Sequence, residues 1–252
     1  MTGTLINAAA IIVGGGMGLL LAGRLSERLR QTVVAVLGLF TLMLGVQAFL
    51  QTRNVLVVLG SLVIGALLGE WWGVEEGMVR LGKWLERRFA QRSDSAPRET
   101  GEGAAAPREG LFLRGFLTAT LLFCVGPVAI LGPIENGVSG SFPLLAVKSI
   151  LDGFSAMAFA TSLGVGVLFS ALPLLVYQGG ISLAAVQVRP LISDLMMGEM
   201  TATGGVLLAA IAVSGVLEIK KIRTGSLLPA LLIAPLLVFV LDRLGIAWAS
   251  LP

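Results

Sequence analysis

The sequence predicts an all-α fold: a polytopic helical membrane protein of about eight (seven to eight) transmembrane helices, with a candidate inverted three-helix repeat. Three observations lead there. Of 252 residues 56% are hydrophobic and 13% charged, whereas soluble domains carry about 25% charged residues. The mean hydropathy is +0.91. At least seven stretches meet or approach the ~20 apolar residues that a crossing helix needs. The runs are too continuous for alternating barrel strands, and in hydrocarbon only helices or closed barrels satisfy the backbone. This composition excludes nucleic-acid binders, secreted disulfide scaffolds and soluble enzymes, whatever the net charge of +3 suggests.

The spans follow in order. Residues 4–23 form the first; no charge precedes Arg24, Arg28 and Arg30, so the stretch lacks the positive start of a secretory signal and is expected to stay as a span. Residues 33–50 and 55–73 give the second and third. Over 76–89, Met78, Leu81, Leu85 and Phe89 recur at helical spacing while Arg80, Lys83, Arg87 and Arg88 fall mostly elsewhere, with Trp84 suited to headgroup level. That pattern predicts an interfacial helix. Residues 92–110, rich in polar, small and proline residues, predict a flexible cytoplasmic linker.

The fourth span, 111–132, carries Gly126-Pro127 and Gly132-Pro133. Each proline removes a donor and frees a carbonyl one turn earlier, which predicts a broken helix or, failing that, an ordinary proline kink. Glu135 and Asn136 then fall in an outer connection at 132–141. Spans five to eight are 142–161, 164–184, 199–217 and 226–241, and Pro190 starts a short surface helix with Leu191, Ile192, Leu195 and Met196 at the lipid boundary. The units are a first three-helix membrane unit (1–75), an interfacial helix and linker (76–110), a second three-helix unit (111–184), and an outer surface helix with two C-terminal spans (185–252).

Orientation follows from lysine and arginine. With eight spans, the connections at 24–30, 76–114 and 218–223 hold fourteen basic residues against three on the other face, Arg53, Arg189 and Arg243. The basic connections are therefore placed in the cytoplasm and both termini outside. Self-similarity suggests the repeat: Met1-Thr-Gly-Thr with Leu117-Thr-Ala-Thr, Ala35-Val36 with Ala146-Val147, and Ser61-Leu-Val-Ile-Gly with Ser162-Leu-Gly-Val-Gly, in the same order. Three spans repeated must invert, as in many secondary transporters; chance matching of small and aliphatic residues is the plainer account. Met200-Thr-Ala-Thr begins a partial third copy.

Candidate functional residues are the costly ones. Intramembrane charges cost ~2.5–3.5 kcal/mol on insertion scales and normally face a bundle interior or wet cavity. Lys148 and Asp152, four apart on span five with Ser149 and Ser155 nearby, share one helical face. The carboxylate would bind a cation or proton with Lys148 as counter-charge, or the lysine would hold an anion; alternatively the two only neutralise each other. Gly126 and Gly132 offer freed backbone dipoles. Gln178 on span six, behind Pro173, is the better ligand candidate beside Tyr177, an alternative interfacial anchor. Asn7 and Gln47 read as amides that link helices. Thr118, Thr120, Thr201 and Thr203 can satisfy their own helices. Gly14 with Gly18, and Gly65 with Gly69, suit close helix packing. Gly164, Gly166, Pro127, Pro133 and Pro173 read as hinge or packing positions, as do Gly204 and Gly205. Without histidine, and with Cys124 alone in an apolar run, no catalytic residue, metal site, cofactor or enzymatic activity is expected.

The segment Phe123-Cys-Val-Gly-Pro-Val-Ala-Ile-Leu-Gly, with Lys148-Ser-Ile-Leu-Asp-Gly, Gly164-Val-Gly-Val-Leu-Phe-Ser and Tyr177-Gln-Gly, resembles the YdfK-like family, domain of unknown function 554, and the likeness covers most of the chain. The resemblance implies a multi-pass protein of the bacterial plasma (inner) membrane and puts Cys124, Gly126, Gly132, Lys148, Ser149, Asp152, Gly164, Gly166, Ser170, Pro173 and Gln178 on family motif positions. Pro127 departs from the family pattern. The leading expectation is a transporter or channel for a small ion or solute, with a central site between spans four to six. The rival is a membrane scaffold or sensor engaging a cytoplasmic partner or anionic lipid through the basic interfacial helix. Partners are the lipid bilayer, an unknown small ion or solute and, as an open option, a second copy in a homo-oligomer, with no nucleic acid. The transport reading requires Lys148 and Asp152 to point inward and a cavity to reach them.

Overall fold

A computed structural model describes residues 1–24, 26–90, 108–126 and 128–245. Every regular element among them is helical. The first are α1 (Thr2–Ala22), α2 (Glu27–Phe49), α3 (Val55–Trp72) and α4 (Val74–Leu85), and the second group is α5 (Arg108–Cys124), α6 (Val128–Ser139) and α7 (Pro143–Leu163). Then come the one-turn α8 (Gly166–Phe169), α9 (Ala171–Leu183), the short α10 (Ala185–Val188), α11 (Asp194–Ile211) and α12 (Ala230–Arg243). Among the described residues seven stretches are long and apolar enough to cross a bilayer, and eight if α5 and α6, bent by 60°, count as one span. Large apolar side chains such as Val36, Phe40 and Met43 on α2 and Ile150, Leu151 and Phe154 on α7 stand exposed. An exposed apolar surface of that extent is a hydrocarbon-facing one, and the chain is a multi-pass membrane protein.

Small residues set the helix directions, because a missing Cβ marks where backbones touch. Gly3 faces Phe142 and Leu145, Gly14 faces the Gly153 carbonyl and Gly18 that of Met157, so α1 runs parallel to α7. Gly38 meets Leu217 and Gly45 meets Gly205, so α2 opposes α11. Gly65 on Ala230 and Gly69 on Ser226 set α3 against α12, and Gly115 on Leu163 with Gly132 on Leu145 set α5 and α6 against α7. The crossings therefore alternate. The ends flanking residues 24–26, 73–107, 164–165 and 217–223 share one face, which is the grouping that the basic residues predict. Among the seven single-helix spans α11 is the most enclosed and α2 the least.

α4 lies on the basic face. Gly73, at φ 62°, ends α3 and starts α4, a left-handed conformation that suits glycine. Glu75 accepts from the Gly225 N–H at 2.6 Å, and Arg223 pairs with Glu70 at 2.6 Å and with Glu76. Leu85 packs on Phe112 and Phe116, and Phe89 meets Phe169 with ring centroids 5.3 Å apart. Trp84 and the basic residues Arg80, Lys83, Arg87 and Arg88 stay exposed. Leu81 and Phe89, on the apolar face of the expected interfacial helix, are exposed too.

Four expectations change. The linker expected at 92–110 lies outside the described residues up to 107, and 108–110 already belong to α5. Residues 132–139 are helical, not a loop: α6 runs through Gly132 and Pro133 to Ser139. The short helix from Pro190 is a single tight turn, Arg189–Leu191. Leu195 and Met196 belong to α11, whose Ser193 cap accepts from the Met196 N–H, and Met196 packs inward on Val57 and Val238.

Candidate functional site

α7 begins at Pro143, a residue pre-set for a first helical turn, and its midpoint falls at Gly153, beside Asp152. Lys148 and Asp152 are each 7% exposed, so both face the bundle. Lys148 Nζ donates to Asp152 Oδ2 at 2.6 Å. Asn7 of α1, fully buried, donates from Nδ2 to the same Oδ2 at 3.0 Å and to Gln178 Oε1 of α9 at 3.3 Å. One amide thus joins three helices. The glycine contacts of α1 on α7 permit it, since larger residues at Gly14 or Gly18 would hold the backbones apart.

Two atoms of this cluster have no partner among the described residues: Asn7 Oδ1 and Gln178 Nε2. Leaving a buried polar atom unpaired costs about 1–3 kcal/mol, so an acceptor and a donor are held ready beside an ion pair. The pair itself is net neutral. Extracting two charges from water costs several kcal/mol each, and charge pairing with hydrogen bonds offsets this. A cation or proton competing with Lys148 for Asp152 would free the ammonium, so the arrangement can exchange one positive partner for another.

The other candidates fall around this centre unevenly. Ser149 is buried but bonds its own helix, at Leu145 O, 2.6 Å. Ser155 is half-buried and takes no part in the cluster. Gly126, at φ 112°, turns the chain between α5 and α6, while Pro127 lies outside the described residues. Val125 N closes the last turn of α5 on Leu121 O at 3.0 Å. Among the described residues no N–H donates to the carbonyls of Leu122 or Cys124, and a proline at 127 has none to give Phe123. Cys124 packs in one buried cluster with Ala8 and Ile11 of α1 and Ala156 of α7. The break therefore ends close to the pair. Gly132 and Pro133 do not form a second break: Gly132 packs on Leu145 and Pro133 is held inside α6. Asn136, placed by the pattern in solvent, is buried and its Nδ2 caps α6 on Gly140 O and Ser141 O at 3.1 and 3.2 Å.

Gly164 ends α7 at φ 77°, and Gly166 packs against the Phe112 carbonyl of α5. Pro173 is third in α9; lacking an N–H, it leaves Phe169 O without its usual donor, and there the chain steps from α8 to α9. Tyr177 is partly buried and packs against two core clusters. Gly204 touches Val125 and Gly205 approaches Gly45 and Phe49. Gly65 and Gly69 pack α3 on α12. Thr201 and Thr203 bond their own helix, at Met197 O (2.6 Å) and Glu199 O (2.8 Å), but the buried Thr120 hydroxyl has no partner among the described residues.

Asn7, read as an amide that links helices, does link them, but its place at the hub of the Lys148–Asp152 cluster was not part of that reading. One residue escaped it altogether. Glu199 is fully buried and accepts from Thr52 Oγ1 (2.7 Å), Arg53 N (2.6 Å) and Asn54 N (3.2 Å). It caps the turn from α2 into α3. An acid near a span end gives the same pattern whether solvated or buried, so position could not reveal it.

A family model described as Protein of unknown function (DUF554) matches residues 2–239. The chain is 32% identical over 232 residues to the Uncharacterized protein YqgA of Escherichia coli (strain K12), covering 92% of this chain and 94% of that one. It is 30% identical over 250 residues to the Uncharacterized membrane protein YdfK of Bacillus subtilis (strain 168), covering 98% and 99%. No solved structure matches.

Proposed function

This chain belongs to the DUF554 family, and on that premise we propose that it is a transporter or channel for a small ion or solute in the bacterial plasma membrane, with the basic connections in the cytoplasm. One observation carries the reading: a Lys148–Asp152 pair near the middle of α7, tied to Asn7 and Gln178, with an amide acceptor and an amide donor left over. The site lies between α7 and α9, with α1 as a wall that spans four to six do not supply. Asp152 carries the charge exchange, Lys148 is the resident counter-charge, and Asn7 and Gln178 orient what enters. The α5–α6 break adds freed carbonyls, as the half-helices of transporters do. The opposed directions of α1–α3 and α5–α9 suit an inverted repeat, although the close pairing of α1 with α7 has no comparable counterpart between α5 and α2.

The test is flux through the purified protein in liposomes, with a panel of monovalent cations, protons and small zwitterions. Asp152→Asn abolishes flux while thermal unfolding stays cooperative; full flux in that variant removes the reading. One observation favours a second reading, a membrane scaffold or sensor. Arg80, Lys83, Arg87 and Arg88 stand exposed around Trp84, a surface suited to anionic lipid. On that reading Asp152→Asn leaves activity in place, and neutralising the four basic residues releases the partner or lipid.

A further inference from the structure

A central site needs a way in, and α5 supplies one wall of it. A cavity of about 370 Å³ lies between α5, α4 and the end of α11, and descends α5 from Gly110 through Arg114 and Thr118 to Leu121, opposite Ile211. Its rim residues Gly110 and Lys221 are exposed, so it opens on the basic face. At 1.5 Å rise per residue, the eleven steps from Gly110 to Leu121 span about 16 Å, roughly half of a ~30 Å hydrocarbon core. The floor at Leu121 is one turn short of the break at Val125 and Gly126, and Cys124 between them packs in one cluster with Ala8 and Ile11 of α1 and Ala156 of α7, the helices that carry Asn7 and Asp152. The unpartnered, buried hydroxyl of Thr120 stands one turn from Cys124 on the same face of α5.

Arg114 ties the mouth. Past α11 the chain forms a wide turn, Ala212–Val216, in which Leu217 N bonds Ala212 O at 2.8 Å. The looser winding leaves the carbonyls of Gly215 and Val216 to Arg114, which donates to them from Nε at 2.8 Å and Nη2 at 2.9 Å and pairs with Glu218. Glu218 sits at φ 54°, a left-handed conformation that costs energy in a residue with a Cβ. Wide turns of this kind are frequent at functional sites. An arginine that reaches across the cavity from α5 thus holds a local conformation under tension.

We propose that this cavity is the entrance of the translocation pathway on the basic face and that the Arg114–Glu218 pair is its latch. Release of the pair lets the end of α11 move off α5 and opens the floor toward Cys124 and Asp152. Glu75 and Lys221 at the rim and leucines at the floor admit a small hydrated ion or solute and partly strip its water before the central pair. This inference rests on the reading of Lys148 and Asp152 as a transport site.

The experiment uses the full chain, with Cys124→Ala, in vesicles of either orientation and a membrane-impermeant cationic methanethiosulfonate as probe. Single cysteines replace Thr118 and Leu121 in the cavity. Gly77→Cys reports the basic face, where an added Cβ meets nothing, Ser139→Cys the opposite face and Val36→Cys the lipid. Thr118→Cys and Leu121→Cys are expected to label from the side of Gly77→Cys, about tenfold faster than Val36→Cys, because the reactive species is a thiolate in water. Glu218→Gln speeds Leu121→Cys several-fold and leaves Gly77→Cys unchanged, and Glu218→Asp, which keeps the charge, restores the slow rate. Labelling from the Ser139 side, no labelling, or a rate that Glu218→Gln does not move overturns the proposal. The readout needs no flux: labelling as expected without flux in the native protein keeps the entrance and removes the central site, whereas flux that depends on Asp152 without labelling removes the entrance alone.

Discussion

At the scale of single residues, the chemistry concentrates on groups whose removal is asymmetric. Lys148→Met leaves Asp152 buried with only an amide, and breaking a buried pair costs about 3–5 kcal/mol. Lys148→Met with Asp152→Leu removes both charges and is expected to recover most of that stability while flux stays absent. Thermal unfolding in detergent measures both; a double variant no more stable than the single one would show that the pair is not coupled. Glu199→Ala strips three donors of their acceptor, and charge-assisted bonds are worth about 1.5–3 kcal/mol each. A loss of at least ~3 kcal/mol is expected, with faster hydrogen exchange at the amides of Arg53 and Asn54; exchange there at the native rate would rule out the capping role. Spacing alone placed Lys148 beside Asp152, because i and i+4 share a helix face in any surroundings. Asn7 and Glu199 depend on partners about 145 residues away, and no local pattern encodes those.

At the scale of elements, glycines decide which helices touch. Gly14 and Gly16 lie two apart in α1, yet a Cβ at Gly14 would collide with the Gly153 backbone while one at Gly16 meets nothing within 4 Å. Gly14→Val is therefore expected to part α1 from α7, unfolding the protein or costing ~2 kcal/mol or more. Gly16→Ala gains up to ~1 kcal/mol from helix propensity. Equal thermal shifts for the two would contradict the packing described. The same logic separates the two Gly-Pro steps. Gly126 has a positive φ and breaks the span, whereas Gly132 and Pro133 are held within α6 by Leu145 and a buried environment. Composition showed two equal punctuation marks; neighbours on α7 and α11 made only one of them a break.

For the whole molecule, alternation of crossings and one-sided charge lead to the same topology. Reporter fusions or thiol mapping at Gly77 and Ser139 are expected on opposite sides, with Gly77 in the cytoplasm beside the basic connections. Both on one side would remove a crossing, most simply the bent α5–α6 pair. α11, read as one of two appended spans, is the most enclosed of the seven single-helix spans, because its glycine and threonine faces allow α2, α12 and α5 to close around it.

The residues by themselves determined what the bilayer imposes: the helical fold, the span order, the shared face of the basic connections and the Lys148–Asp152 register. These follow from apolar length, charge distribution and helix period, which are local properties. Tertiary structure alone decided that Asn7 bridges the pair to Gln178, that Glu199 is a buried cap, and that Arg114 ties two helix ends across a cavity. Each of these needs a partner from another span, and a polar side chain reveals its partner only once the intervening helices are packed.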